Sequence, residues 1–212
     1  MQITAIEPRR KALSALFLDG EFAMNIDTET LLNSGYRLGM EISDEELYEL
    51  KQASDSRRAN EKALYLLEHR SHSKKELVDK IRRTASEEAA QRAADRMEEL
   101  GLVDDEAFAR NYAAELLGRK GFSASRARYE LQQKGIDKEL ASQIVEELAQ
   151  EPVGKLKELL TRKYGRCLGE EQGRRRAVAG MQRLGYRYEE IRKALKELEP
   201  EIYGEDEEYD GI

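Results

Sequence analysis

The stretch RARYELQQKGI at residues 126–136 returns as RAVAGMQRLGY at residues 176–186, fifty positions later. The same offset relates apolar positions and a helix-ending glycine in both copies. The pairs are Ala127 with Ala177, Leu131 with Met181, Gly135 with Gly185, Ile136 with Tyr186, Ala141 with Ile191, Ile144 with Ala194, Val145 with Leu195 and Leu148 with Leu198. Because no reactive side chain recurs with them, the duplication favours a unit reused for its surface rather than for catalysis.

Helical periodicity extends upstream of this pair and begins at Arg57. Ser73 and Glu76 have the spacing of a capping box that starts a helix, and Gly101 is placed to end one. Three short amphipathic helices form a core that is weak alone and gains stability by stacking on a neighbour. The pattern predicts an elongated array of three tandem three-helix repeats, at residues 55–103, 104–150 and 151–200.

The first 54 residues have a different pattern. Two apolar runs flank Asp19 and Gly20, a pair typical of a tight hairpin turn, and Ser43 with Glu46 forms another capping box. We therefore predict a small N-terminal extension, residues 1–54, built from a β-hairpin and helices. The fold class is mainly α, and residues 201–212 form an acidic tail whose composition is typical of disorder.

Composition agrees with helices that bury only a narrow stripe. The chain has 212 residues, of which 40% are hydrophobic, 37% charged and 7% aromatic, without tryptophan. Such a chain favours several small cores over one large core. No apolar run approaches the roughly 18 to 20 residues that span a bilayer, and the start lacks the apolar segment of a secretory signal. We predict a cytoplasmic protein without membrane contact.

The net charge of −7 conceals an uneven distribution. Basic residues gather in or beside the middle helix of each repeat, whereas the third helices are acidic. A charge run is often only a solvated face, but recurrence in three repeats favours a surface for phosphates or an acidic protein. The candidate partner-contacting residues are Lys74, Lys75, Arg82, Arg83, Arg119, Lys120, Arg126, Arg128, Arg174, Arg175 and Arg176.

Residues with reactive side chains do not form a recognisable catalytic or metal site. His69 and His72 are three apart but lack a cysteine or carboxylate cluster to complete a metal site, and Cys167 has no histidine in its repeat. The acidic run at residues 104–106 is explained by a helix cap and first-turn acids. The sequence predicts no catalytic residue, no metal and no cofactor, so we expect a protein that is not an enzyme.

Four segments in order resemble the RecX family, regulators of the RecA recombinase: RSHSKKEL at residues 70–77, ELGLVDDEAFA at 99–109, Lys120–Gly121 with RARYELQQKGI, and RLGYRYEEIRKAL at 183–195. The resemblance implies a modulator, usually an inhibitor, that lies in the groove of the RecA filament on single-stranded DNA. Such a protein changes filament extension, disassembly and ATP hydrolysis. It acts as a monomer, with any contact to single-stranded or duplex DNA weak and salt-dependent.

Two features depart from the family pattern. Gly173 and Gly180 fall inside the middle helix of the third repeat, where each weakens a helix by about 1 kcal/mol relative to alanine. The acidic tail is not explained by the shared motifs either.

A second interpretation is a DNA-binding regulator of the helix-turn-helix kind, because three-helix units resemble such modules. Tyr129 and Tyr188 lie beside basic positions, where an exposed ring can stack on a base, although most of the aromatic residues are expected in the core. Only the second repeat offers side chains suited to base edges on one helix. These are Arg126, Arg128, Gln132 and Gln133.

Overall fold

A computed structural model describes residues 1–203. Of the predicted acidic tail, residues 201–212, the first three residues belong to a helix, and the rest, from residue 204 onward, lies outside the described residues. Helices dominate, and a small antiparallel sheet lies at the N-terminus, which confirms the predicted fold class. The chain separates into two compact units, one spanning Met1–Asp105 and the other beginning at Glu106. No helix in the described part of the chain combines the length and the apolar character that a bilayer-crossing segment requires.

The N-terminal sheet has three strands, β1 (Ile3–Arg9), β2 (Leu13–Leu18) and β3 (Glu21–Asp27), in the order β1-β2-β3. The predicted tight turn is present, with φ of 48° at Asp19 and 89° at Gly20. The sequence predicts a hairpin of two strands, whereas the sheet has three, because β1 pairs with the other edge of β2. Pro8 disfavours a central strand but is tolerated at the edge of a sheet, where β1 lies.

Helix α1 spans Thr28–Ser34, and α2 spans Asp44–His69. The capping box predicted before α2 is present, since Ser43 Oγ accepts from the Glu46 N–H at 3.2 Å and Glu46 Oε2 accepts from the Ser43 N–H at 2.8 Å. The sequence predicts one helix after Ser43, within the N-terminal extension, and a separate helix in the first repeat from Arg57 onward. That prediction is wrong, because α2 is continuous. Residues 51–62 contain neither glycine nor proline, so nothing breaks the helix, which crosses the proposed boundary at 54/55.

The first repeat consists of the C-terminal half of α2 together with α3 (Lys74–Ile81) and α4 (Glu87–Glu99). Ser73 and Ser86 cap α3 and α4 by accepting backbone N–H groups. These helices enclose a cluster of small and aliphatic side chains, distinct from the cluster beneath the sheet. The buried members are Ala59, Ala63, Leu77, Ile81, Ala89, Ala90, Ala93, Ala94, Met97 and Val103.

The second and third repeats follow along the chain. Helix α5 (Asp105–Ala114) continues as a π-helical segment, Glu115–Lys120, before α6 (Ala124–Gln133) and α7 (Lys138–Leu148). The third repeat contains α8 (Pro152–Tyr164), a 3₁₀ turn (Gly165–Cys167), α9 (Glu171–Arg183) and α10 (Tyr188–Tyr203). Each repeat has its own hydrophobic cluster. The exact repeat boundaries remain predictions.

The fifty-residue register is visible in the backbone. Gly135 and Gly185 adopt φ of 87° and 92°, and each donates its N–H at 2.9 Å to the carbonyl three residues earlier. The residue after each glycine donates at 3.2 Å to the carbonyl five residues earlier. Middle helices of both repeats therefore end in the same left-handed cap. One pair departs from the register, since Leu198 is buried but Leu148 is 40% exposed.

The two glycines inside α9 allow close approach of other groups. A Cβ at Gly173 would lie 2.7 Å from the carbonyl carbon of Cys167, and one at Gly180 would lie 3.0 Å from Cζ of Tyr164. Both distances are too short for ordinary packing. The helix-weakening glycines are therefore needed where the 3₁₀ turn and the Tyr164 ring pack on α9.

The start of α6 rests on the turn that follows α9. Ser123 donates its N–H to the Leu184 carbonyl at 2.9 Å and its Oγ to the Gly185 carbonyl at 2.8 Å. The Arg126 guanidinium donates to the Arg183 carbonyl. A Cβ on Gly185 would lie 2.6 Å from Cβ of Arg126, so this junction between the second and third repeats requires glycine for space as well as for φ.

Candidate interaction surface

Lys74, a predicted partner-contacting residue, is bound within its own unit. Its ammonium lies 2.8 Å from the Asp95 carboxylate and 2.6 Å from that of Glu98. These hydrogen bonds raise the pKa of Lys74, and the bond to Lys74 lowers the pKa of Asp95. The Lys74 backbone N–H also donates to Asp105 Oδ1 at 2.8 Å. This hydrogen bond joins the segments at residues 70–77 and 99–109, two of the four that resemble the RecX family. Lys74 therefore has a structural role in the first repeat.

Lys75, Arg82 and Arg83 lie on the exposed surface of the first repeat. Arg82 is 3.3 Å from the carboxylate of Asp79, one turn earlier on α3. An exposed pair at this spacing contributes little to stability and does not fix the side chain. These three cations remain accessible to a partner.

Arg119 and Lys120 end the π-helical segment. Arg119 pairs with Glu115 and is 75% exposed in its side chain, whereas the Lys120 ammonium lies 3.5 Å from Glu115 and 5.3 Å from the ring centroid of Tyr112. The pairing lowers the pKa of Glu115, chiefly through its hydrogen bond to Arg119. Of the two cations, Arg119 is the more accessible.

Arg126 and Arg128 are neighbours with different environments. Arg126 stacks on the Phe122 ring at 4.3 Å and donates to the Arg183 carbonyl, so it holds the junction between repeats. Arg128 is half-buried, and within residues 1–203 it makes no ion pair. Only Arg128 of this pair is available for a partner.

The solvent-facing side of α6 is polar and carries one aromatic ring. Tyr129 is 59% exposed, as is Tyr188 at the start of α10. Both rings therefore lie at the surface rather than in a core, which keeps the base-stacking hypothesis open. The face of α6 that recurs every three or four residues contains Ser125, Arg128, Tyr129 and Gln132.

The three predicted partner-contacting arginines of the third repeat lie near the start of α9. Arg175 is 78% exposed and pairs with Glu171 at 2.5 Å, Arg176 is exposed, and Arg174 is half-buried. In the described part of the chain Arg176, like Arg128, has no ion pair. Each middle helix of the second unit therefore carries arginine without an ion pair in the described part of the chain: Arg128 on α6, and Arg176 and Arg183 on α9.

A cavity of about 450 Å³ in the second unit was missed by the sequence analysis. Its lining comes from the π-helical segment, α6, the end of α7 and the first turns of α8 and α10. Leu148, which is exposed, is one of the residues that line this cavity. The only sequence signal was the pairing of Leu148 with a buried leucine fifty residues later. Its lining includes Leu117, Gly118, Phe122, Arg128, Leu148, Lys155, Arg187 and Glu190.

The two histidines and the cysteine have separate local partners. His69 Nδ1 lies 2.7 Å from the Tyr65 carbonyl, whereas buried His72 lies 3.2 Å from the Glu76 carboxylate. Cys167 donates from Sγ to the Tyr164 carbonyl at 3.2 Å. Within residues 1–203 no group of three His, Cys, Asp or Glu side chains is arranged to hold a metal.

Tandem three-helix units, each with a small core, define the chain as a helical-repeat protein. A family model described as the RecX second three-helix domain matches residues 104–144. Regulatory protein RecX from Caldanaerobacter subterraneus subsp. tengcongensis is 31% identical over 150 residues, covering 70% of this chain and 76% of that protein. The chain belongs to the RecX family of regulatory proteins.

Further relatives agree with this assignment. Regulatory protein RecX from Bacillus subtilis is 26% identical over 207 residues, covering 94% of this chain and 78% of that protein. A crystal structure of a regulatory protein RecX matches with a TM-score of 0.59 at 20% identity, over 92% of this chain and 98% of that one. The crystal structure of RecX from Lactobacillus salivarius matches with a TM-score of 0.57 at 20% identity, over 69% of this chain and 98% of that one. These two likenesses show a shared fold.

Proposed function

We propose that this chain is a monomeric modulator of the RecA recombinase that binds in the groove of the RecA filament on single-stranded DNA. It thereby changes filament extension, disassembly and ATP hydrolysis, with inhibition as the usual effect. The proposal follows from membership of the RecX family. The observation that carries the choice of surface is the pair of accessible arginines, Arg128 on α6 and Arg176 on α9, in two repeats of one unit.

Charge is separated within the second unit in a way that suits an anionic partner. Glu139, Glu146 and Glu147 are exposed on α7, whereas Arg126 and Arg128 of the same repeat lie on α6. A surface of one sign speeds association with an oppositely charged partner and makes binding sensitive to salt. DNA phosphates and acidic patches on a protein filament both meet this requirement.

Inhibition of RecA ATP hydrolysis on single-stranded DNA tests the proposal. The double variant Arg128→Glu/Arg176→Glu reverses both accessible cations and leaves Arg126, which holds the repeat junction, unchanged. We expect the half-inhibitory concentration to rise about tenfold or more, the equivalent of roughly 1.4 kcal/mol of binding free energy.

The matched control is Arg10→Glu/Arg37→Glu, which makes the same change in net charge at exposed positions of the first unit. It should inhibit like the parent protein. Equal loss in both double variants would show a net-charge effect, and equal inhibition by all three proteins would rule out this surface. Circular dichroism confirms that each variant is folded.

A DNA-binding regulator is the second candidate, favoured by the polar face of α6 on which Arg128 and Gln132 lie with exposed Tyr129. Two of the four predicted base-reading residues are therefore accessible on this face, while Arg126 is used at the repeat junction. Titration of short duplexes of varied sequence, without RecA, distinguishes the candidates. A sequence preference abolished by Gln132→Ala would favour the DNA-binding regulator.

A further inference from the structure

Part of the lining of the cavity in the second unit is apolar. Leu117 and Phe122 line it beside Leu148, whose side chain is exposed here although its repeat counterpart Leu198 is buried. An exposed leucine at a position that the repeat otherwise keeps in a core indicates a surface available for burial by a partner. The volume of about 450 Å³ lies within the range of roughly 300–1,000 Å³ that is usual for ligand pockets.

The charged side chains that line the cavity are mainly cationic. Arg128, Lys155 and Arg187 line it, against one carboxylate, Glu190. Glu190 already accepts a hydrogen bond from the Arg187 backbone N–H at 2.8 Å, and Lys155 lies 2.9 Å from Glu158. Arg128 and Arg187 make no ion pair in the described part of the chain. The first turns of α6, α8 and α10 also line the cavity, and helix N-termini favour negative charge.

The aromatic ring in the lining, Phe122, already packs against two cations. The Arg126 guanidinium stacks on Phe122 at 4.3 Å, and the Lys120 ammonium lies 6.0 Å from the same centroid. A nucleobase needs an open ring face on which to stack, whereas the aliphatic side chains of Leu117 and Leu148 offer an apolar partner side chain a contact that does not depend on the ring. Arg128 and Arg187, which also line the cavity, can each bind a carboxylate through charge-assisted hydrogen bonds.

We propose that this cavity docks a short acidic segment of a partner protein, with one large apolar side chain against Leu117 and Leu148 and its flanking carboxylates at Arg128 and Arg187. The apolar side chain provides burial, and the charge pairs provide orientation and specificity. The inference goes beyond the filament role and needs no RecA for its test. Failure of one proposal is therefore distinguishable from failure of the other.

The direct test uses fluorescein-labelled synthetic peptides and the full chain, with binding followed by fluorescence anisotropy. The probe DELFED carries both the apolar anchor and the acids, DESSED keeps only the acids, and NQLFQN keeps only the anchor. We expect DELFED to bind about tenfold more tightly than either control peptide, because both features must be satisfied together.

Gly118→Leu places a side chain in the cavity. A Cβ at Gly118 meets no heavy atom within 4 Å, so the variant should fold. The matched control is Gly165→Leu in the same unit but outside the cavity lining, where the nearest atom to a Cβ is Thr161 Cγ2 at 4.0 Å. We expect Gly118→Leu to weaken DELFED binding about tenfold and Gly165→Leu to leave it unchanged.

Arg187→Gln provides a second, exposed variant, which keeps the test decisive if Gly118→Leu fails to fold. It should weaken DELFED several-fold and leave NQLFQN unchanged. Equal binding of DESSED and DELFED, or no effect of either variant, would overturn the proposal. So would displacement of DELFED by oligo(dT) with the same sensitivity to Gly118→Leu, which would assign the cavity to nucleic acid. Peptide binding seen only after removal of residues 204–212 would instead assign the cavity to the chain's own acidic tail.

Discussion

At the scale of single residues, missing side chains determine how closely the elements of the second unit approach. Gly173 admits the backbone of Cys167, Gly180 admits the Tyr164 ring, and Gly185 admits Arg126. Helix propensity assigns a cost to the first two glycines but says nothing about what lies opposite them. From the sequence, Gly173 and Gly180 are therefore only departures from the family pattern, and the structure supplies their physical reason.

We predict that Gly173→Ala lowers the stability of the protein by more than about 1 kcal/mol, although alanine is the better helix former by about that amount. The reason is that the new methyl group overlaps a backbone carbonyl, which cannot rotate away as a side chain can. Urea denaturation followed by circular dichroism at 222 nm measures the effect. Gly118→Ala, with open space at its Cβ, is the control and should not destabilise. A stabilising Gly173→Ala would contradict the packing argument.

We also predict that stability falls as the pH is lowered from 7 towards 5, because of His72. Burial, and then the nearby Arg70 charge, lower the pKa of His72 below its ordinary 6.5, while the hydrogen bond to Glu76 opposes the shift and Lys80 adds to it. Below pH 6.5 the unfolded state binds more protons than the folded state, so acid favours unfolding.

Thermal denaturation at several pH values checks this effect. His72→Gln should flatten the dependence between pH 5 and 7, and His69→Gln, at an exposed histidine, should leave it as in the parent protein. A pH dependence that survives His72→Gln would assign it to other groups.

At the scale of elements, serine caps join helices as well as start them. Ser86 and Ser123 both accept a backbone N–H from the residue three positions later. Ser123 additionally donates to the Gly185 carbonyl across the junction between repeats. The sequence shows the capping pattern, but the bond across 62 positions is visible only in the folded chain.

Ser123→Ala should therefore cost more stability than Ser86→Ala. Loss of an N-cap costs about 1 kcal/mol, and we expect about 1 kcal/mol more at Ser123 because the Gly185 carbonyl loses a donor. Thermal denaturation of the two single variants gives the difference. Equal destabilisation would show that the hydrogen bond across the junction adds nothing.

At the scale of the whole molecule, the chain is divided into small cores rather than organised around one. The sheet and each three-helix repeat enclose separate clusters of buried side chains in the described residues. Stability in such proteins is close to a sum of unit stabilities and nearest-neighbour contacts. The boundary between the two compact units falls after Asp105, so the clusters of the sheet and the first repeat lie in one unit and those of the second and third repeats in the other.

We predict that residues 106–212 fold without the first unit, because the second unit contains two complete clusters and the junction between them. Circular dichroism should show a helical spectrum and a cooperative thermal transition for this fragment. Dispersed amide resonances in NMR would confirm a fixed structure. A disordered fragment would show that the second unit depends on the first.

Local signals predicted much of this fold correctly. The Ser43–Glu46 box, the Asp19–Gly20 turn and the glycine caps each depend on interactions within about five residues, which a sequence displays directly. Strand β1 was missed because its mainly apolar stretch, residues 3–6, is short and is followed by Glu7 and Pro8, and its strand conformation comes from pairing with β2. The prediction divided α2 because the sequence pattern changes near residue 55. That change does not interrupt the helix, which is continuous over Asp44–His69.

The candidate surface was predicted less completely. Arg176 is exposed and Arg128 is half-buried, whereas Lys74 is held by Asp95 and Glu98, and Arg126 by the Arg183 carbonyl. Sequence periodicity assigns a cation to a helix face without showing what folds against that face.

The sequence by itself determined the helices, their caps and the fifty-residue repeat, since hydrogen bonds and apolar spacing within a few turns encode them. Only the tertiary structure decided which arginines remain accessible and where the cavity opens. Both depend on residues far apart in the chain, such as Ser123 and Gly185 or Leu117 and Arg187. Their proximity results from how the repeats pack, which is a property of the folded second unit.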